Sequence, residues 1–151
     1  MDRENADEAS TESTLAEWTR SHAPGGPVIV SVCITCKTAD GGEVVGPEMF
    51  AAVQAALGQD GASVVVRPVQ CLSVCKRPAT VAVTSPDGYT FLFGDLQAES
   101  GTMALASFVK SYRNSDYGLV PWRERAEVLR KGMIARVPPM RWSPDDGRAP
   151  K

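Results

Sequence analysis

Short β-branched runs alternate along the chain with stretches of helical periodicity, and the pattern predicts six elements. Val28-Ile29-Val30-Ser31-Val32 is introduced by Pro27 and ends at Cys33, and reads as a buried strand. Gly46-Pro47-Glu48 supplies a helix start, with proline in the first turn and an acid near the positive end of the helix dipole. Phe50, Val53 and Leu57 follow at helical spacing and predict a face laid on a sheet, with Gly58 as the stop. Ala62 to Val66 is again β-branched, and Arg67-Pro68 marks an edge strand or a bulge just before Cys71. Pro78 to Thr84, the turn Ser85-Pro86-Asp87-Gly88 and Tyr89 to Phe93 read as a β-hairpin, because Asp-Gly is a favoured turn dipeptide. From Ser100 to Tyr112, apolar residues at 105, 108, 109 and 112 give the i, i+3, i+4, i+7 signature of an amphipathic helix.

The predicted order is β-α-β-β-β-α. A first β-α-β unit makes a parallel pair and the hairpin is antiparallel, so the fold class is α/β with a mixed four-stranded sheet and two helices. That is a thioredoxin-like arrangement over residues 27–113. Residues 1–26 are rich in Glu, Asp, Ser and Thr and close with His22-Ala23-Pro24-Gly25-Gly26-Pro27, which predicts a disordered acidic tail with at most a helical turn around Trp18. Residues 114–151 carry Pro121, Pro138, Pro139, Pro144 and Pro150 and predict an extended, proline-rich basic arm with a turn across Arg123 to Lys131. Leu119, Val120, Trp122, Met133, Ile134 and Val137 are too apolar for a solvated tail, so the arm is expected to pack on the domain or on a second copy, the latter giving a homodimer.

With 151 residues and 43% hydrophobic content the chain allows one domain with tails. The net charge of -2 gives no general reason to expect nucleic acid or an anionic membrane as partner. The charge is unevenly placed: six acids face two bases over 1–26, while eight bases face five acids over 114–151. The basic arm either meets an acidic partner or is simply solvated. The start has no apolar signal region and no run is long and apolar enough to span a bilayer, so a cytoplasmic protein is expected. In that compartment thiols stay reduced, which favours metal binding or redox chemistry over structural disulfides.

The candidate chemistry lies in the four cysteines, Cys33, Cys36, Cys71 and Cys75, spaced C-x2-C and C-x3-C. Each pair follows a predicted strand, a pattern that suits four thiolates around one metal centre. Zinc and an iron-sulfur cluster both accept such ligands; the C-x3-C spacing and the placement on strands of a real core lean towards a cluster. The single histidine, His22, lies in the predicted tail, which argues against a mixed cysteine-histidine site. A rival reading is a thiol-disulfide oxidoreductase using Cys33 and Cys36. It leaves Cys71 and Cys75 unexplained, and the helix start at Gly46-Pro47 stands too far along the chain from Cys36 to lower a thiol pKa through its dipole. The glycine pairs at 25–26 and 41–42 match no phosphate-binding fingerprint, and Asp87, Asp95 and Glu99 are scattered acids rather than a catalytic pair. Trp122 is read as an apolar anchor for the arm.

The segment Cys71-Leu72-Ser73-Val74-Cys75-Lys76-Arg77-Pro78, followed by an apolar strand, resembles the second half-site of the thioredoxin-like [2Fe-2S] ferredoxins. Their first half-site has a longer spacing than the two residues found here. The C-x2-C and C-L-x-x-C pairs, Phe93-Gly94-Asp95-Leu96, and the arm segments Gly118 to Arg125 and Ile134 to Pro139 resemble an uncharacterised bacterial family of small predicted metal-binding proteins related to those ferredoxins. The resemblance implies a [2Fe-2S] cluster on Cys33, Cys36, Cys71 and Cys75 and a one-electron carrier rather than an enzyme, with Zn2+ binding for structure, sensing or trafficking as the alternative. It also implies a redox partner protein, of acidic character if Lys37, Lys76 and Arg77 meet it. Backbone N–H groups of Ser73 and Val74 are candidate donors to sulfur.

Overall fold

A computed structural model describes residues 27–38, 40–58, 63–142 and 144. The acidic tail expected over 1–26, with His22 and Trp18, lies outside the described residues. The β-branched run forms strand β1, Val28–Cys33, and helix α1, Gly46–Leu57, begins with proline in its first turn. Strand β2 is Val64–Val69; the hairpin is β3, Val81–Thr84, and β4, Thr90–Phe93; helix α2 is Ala98–Asn114. Two 3-10 turns, Asp116–Gly118 and Trp122–Glu124, lead to the short helix α3, Glu127–Lys131, and strand β5, Met133–Val137.

The strands form one mixed sheet in the order β2-β1-β3-β4-β5. β1 and β2 are parallel, with Val28 opposite Val64 and Cys33 opposite Val69. The other neighbours are antiparallel. The expected β-α-β-β-β-α order and mixed sheet are present, and β2, which carries Pro68, is an edge strand as the proline requires. The sheet has five strands rather than the expected four, because the arm does not stay extended. Its residues Met133–Val137 add to the open edge of β4, satisfying backbone groups that would otherwise face solvent. The arm therefore packs on its own domain, with Val120 and Leu129 fully buried.

Alternation along the strands places Val30, Val32, Val81, Val83, Phe91 and Phe93 in one buried cluster with Met49, Val53 and Leu57 of α1 and Leu105, Phe108 and Val109 of α2. Phe108 meets Phe91 and Phe93 edge-on, at ring separations of 5.0 and 5.1 Å. Core packing on this face fixes the sheet and leaves the strand ends to carry the cysteines. Among the described residues, no helix is long and apolar enough to cross a membrane.

Candidate metal centre

Because β1 and β2 run side by side in the same direction, whatever follows each strand leaves the same end of the sheet. Cys33 is the last residue of β1 and Cys36 follows it, while Cys71 and Cys75 follow β2. The Ile34 amide donates to the Val69 carbonyl at 2.9 Å, and the Cys33 amide to the Thr80 carbonyl at 3.1 Å. The Cys33 thiol donates to the carbonyl of Gln70, the residue before Cys71, at 3.9 Å, and the Thr35 hydroxyl donates to the same oxygen. Cys36 Sγ lies 3.4 Å from Thr80 Oγ1 at the start of β3.

Lys37 and Val44 pair through an isolated antiparallel bridge. Amides of Val45 and Gly46 then donate to the Cys36 carbonyl at 2.8 and 3.2 Å. Gly46 sits so close to the first pair that a Cβ there would fall 2.4 Å from the Ile34 carbonyl carbon. The expectation that the start of α1 is remote from Cys36 is thus corrected, since a closed loop removes in space the separation counted along the chain.

The two pairs differ in burial. Cys33 and Cys36 are 2% and 5% exposed, whereas Cys71 and Cys75 face solvent. Burial pushes the Cys33 thiol up, but hydrogen bonding with the Cys36 and Thr35 side chains and with the Thr35 and Leu72 backbone outweighs it and brings the pKa down to about 7. Cys36 moves the other way, raised by burial and by its neighbour Cys33 against the opposing help of Thr80. In the second pair the Ser73 amide donates to Cys71 Sγ at 3.1 Å. Ser73 reaches that position with φ of 61°, a left-handed conformation that costs a non-glycine residue roughly 1 to 3 kcal/mol. The predicted Ser73 donor is therefore present, while Val74 enters through its carbonyl, which accepts the Arg77 amide at 3.0 Å.

Other expected residues take different places. Lys37 and Lys76 are exposed near the cysteines. Arg77 is not a free cation: its guanidinium pairs with Asp95 at 2.8 Å and also donates to the Lys131 and Met133 carbonyls. Trp122 is 55% exposed and is no buried anchor. Instead the buried Arg125 guanidinium sits over both Phe91 and Trp122, at 5.0 and 5.4 Å from the ring centres, and donates to the Val120 carbonyl.

The structure brings both pairs to one end of the sheet but does not close them on a point. Among the described residues, no group of three or more histidine, cysteine, aspartate or glutamate side chains is assembled at metal-ligating distance. The donor chemistry nevertheless fits a thiolate-bound metal. Four thiols are present, and amide or hydroxyl groups already contact the sulfurs of Cys33, Cys36 and Cys71. Thr80, Thr35 and Gly46 were not legible as site residues; Thr35 lies inside the C-x2-C motif, but Thr80 carries no local signal.

A family model described as "Protein of unknown function (DUF1636)" matches residues 30–139. The chain belongs to this family. The DUF1636 match takes in both cysteine pairs and runs on through β5, so the relation expected from the cysteine and arm segments is borne out. No curated protein sequence matches the chain. Among solved structures it is similar to a thioredoxin-like [2Fe-2S] ferredoxin from Aquifex aeolicus, at 19% identity, with a TM-score of 0.48 over 72% of this chain and 91% of that one. The wild-type ferredoxin in a second structure gives 19% identity and a TM-score of 0.47, covering 72% and 96% of the two chains. A cysteine-to-serine variant of it gives 18% and 0.47, covering 72% and 98%.

Proposed function

We propose that the protein is a metal-binding one-electron carrier that holds a [2Fe-2S] cluster through Cys33, Cys36, Cys71 and Cys75. The observation that carries this reading is the parallel register of β1 and β2, which delivers both cysteine pairs to one end of the sheet, with Cys33 Sγ against the residue preceding Cys71. When bound, the cluster supplies one-electron oxidation and reduction; the chain holds and tunes it. Cys33 and Cys36 are the inner ligands and Cys71 and Cys75 the outer ones. Donors already in place, the Thr80 hydroxyl and the Leu72 and Ser73 amides, draw charge from thiolate sulfur and so favour the reduced state.

Such a carrier needs no substrate pocket and is not an enzyme. The exposed Lys37 and Lys76 directly follow Cys36 and Cys75, which suits an acidic redox partner, and its four free thiols suit a reducing, cytoplasmic setting. The C-L-x-x-C segment before Pro78, with its likeness to the ferredoxin half-site, favours the cluster over zinc. Thiol-disulfide exchange is disfavoured by burial, because an attacking thiolate needs access and Cys33 is only 2% exposed.

Anaerobic purification tests the reading. The expected protein is brown, contains iron and acid-labile sulfide in equal amounts, and becomes paramagnetic on one-electron reduction. Replacing Cys71 by Ser removes the metal. Colourless protein with stoichiometric zinc would replace the cluster by a zinc centre on the same residues. Metal-free thiols that cycle between Cys33 and Cys36 would overturn the metal reading altogether.

A further inference from the structure

The loop that carries Cys71 and Cys75 contains neither helix nor strand, and both cysteines face solvent. On its C-terminal side the first anchored residue is Arg77, two positions beyond Cys75; Ala79 and Thr80 follow, their carbonyls accepting the Leu96 and Cys33 amides. The Arg77 amide donates to the Val74 carbonyl at 3.0 Å, and its own carbonyl accepts the Asp95 amide at 3.1 Å. Its side chain reaches further: Nε donates to Asp95 Oδ2 at 2.8 Å, Nη2 to the Lys131 carbonyl at 3.0 Å and Nη1 to the Met133 carbonyl at 3.4 Å. Gly94 makes this close approach available, since a Cβ there would stand 2.5 Å from the Arg77 carbonyl oxygen.

We propose that Arg77 is a positioning residue, which ties the Cys71–Cys75 half of the centre to the C-terminal segment 127–137 and so sets how firmly that half keeps its metal. The proposal deepens the metal-centre reading and rests on it. The ion pair with Asp95 is partly exposed and contributes little by itself. The geometry matters more: a planar guanidinium directs three donors at three acceptors at once, which an ammonium group on a flexible stem does not reproduce. Two of the acceptors flank Gly132, at the last residue of α3 and the first of β5, and Gly132 itself accepts the Gly94 amide at 2.8 Å. Those carbonyls are therefore presented to Arg77 by the pairing of β5 with β4. Metal binding must order the loop, and a loop already pinned at Arg77 loses less freedom on closing its two thiolates around the metal.

The test uses the full chain loaded with cobalt(II), whose thiolate charge-transfer absorption reports ligation. Arg77→Ala is expected to release cobalt to a chelator about 10- to 100-fold faster than the parent, with weaker thiolate absorption. Arg77→Lys falls between the two, and decides the point if Arg77→Ala does not fold. Tyr112→Phe, a destabilising change at the opposite end of the sheet, leaves the release rate unchanged. In metal-free protein, amide hydrogen exchange over residues 73–76 speeds up in Arg77→Ala or Arg77→Lys but not in Tyr112→Phe. Parent-like release and exchange in the Arg77 variants overturns the proposal. If the parent chain takes no cobalt through its four thiols, the metal reading fails instead, and the metal-free exchange alone decides whether Arg77 ties the loop to the segment.

Discussion

Cys36 Sγ and Thr80 Oγ1 lie 3.4 Å apart with both residues buried, so the first cysteine pair is joined to the start of β3 as well as to the strand that precedes it. The hydroxyl is a polar contact to a sulfur held away from water. As a donor it stabilises negative charge on Cys36, and it is one of the influences that oppose the upward push of burial on that thiol.

Thr80→Val keeps the shape and removes the donor. In the metal-free protein the loss is expected to cost about 0.5 to 1.5 kcal/mol, read from denaturant unfolding. In the loaded protein the midpoint potential moves to more negative values, because the reduced centre carries more charge at sulfur and has lost a hydrogen bond. Voltammetry checks the direction; an unchanged or more positive potential would show that Thr80 does not donate to the ligand.

Gly46→Ala inserts a methyl group against the backbone of Cys33 and Ile34, at 2.4 to 2.5 Å from their carbonyl atoms. Backbone cannot swing aside as a side-chain tip can, so the start of α1 or the first cysteine pair must move. A stability loss of about 1 to 3 kcal/mol is expected. Metal content per chain falls with it, whereas a destabilising change remote from the site leaves the content intact.

Tyr112 provides the pH dependence. Its hydroxyl donates to the Tyr89 carbonyl at 2.6 Å and contacts Ser85 Oγ at 3.0 Å, and burial pushes its pKa from the ordinary 10.0 up to about 12. A raised pKa means that the folded state keeps a proton which the unfolded state gives up. The stabilisation is full below pH 10, shrinks above it, and is lost as pH rises through 12. The amount is roughly 2 to 3 kcal/mol for a shift of that size. Tyr112→Phe is expected to unfold more easily at neutral pH by about 0.5 to 1.5 kcal/mol while losing less of its stability between pH 10 and 12. A tyrosine titration followed at the phenolate absorption, together with urea midpoints at several alkaline pH values, separates the two effects; a Tyr112 hydroxyl that ionises near pH 10 in folded protein would refute the assignment.

Leu129 is completely buried although α3 has only five residues. A helix that short has no stability of its own, so the side chain serves to fasten the segment before β5 to the core. Leu129→Ala is expected to cost about 2 to 5 kcal/mol in global unfolding, as for a core leucine. A change below about 0.5 kcal/mol would mean that the C-terminal segment is an accessory whose loss the domain does not feel.

The strands and helices of the first 113 residues were legible because their signals are local. Val28 to Val32 announces a strand by β-branching, and Leu105, Phe108, Val109 and Tyr112 announce a helix by their 3.6-residue period, although α2 runs two residues further at each end than the expected span of 100–112. The cysteine pairs were legible as pairs by spacing, and the order of the elements already implied that they would leave the sheet together. Strand β5 was not legible. Met133-Ile134-Ala135-Arg136-Val137 has no clean alternation and is followed by two prolines; it is a strand because the open edge of β4 supplies the hydrogen-bond partners.

The sequence by itself thus determined the four candidate thiol donors, the order of the first six elements and the likeness of the two cysteine segments, since each rests on residue type and spacing within one stretch of chain. The tertiary structure alone decided that Cys33 and Cys36 are buried while Cys71 and Cys75 are exposed, that Thr80 meets Cys36, and that Gly46 returns to the first pair. It also turned Arg77 from a loop cation into the tie between the second pair and β5. Those relations join residues 10 to 56 positions apart, and contacts at such separations depend on which surfaces the packed sheet brings together, which no local pattern encodes.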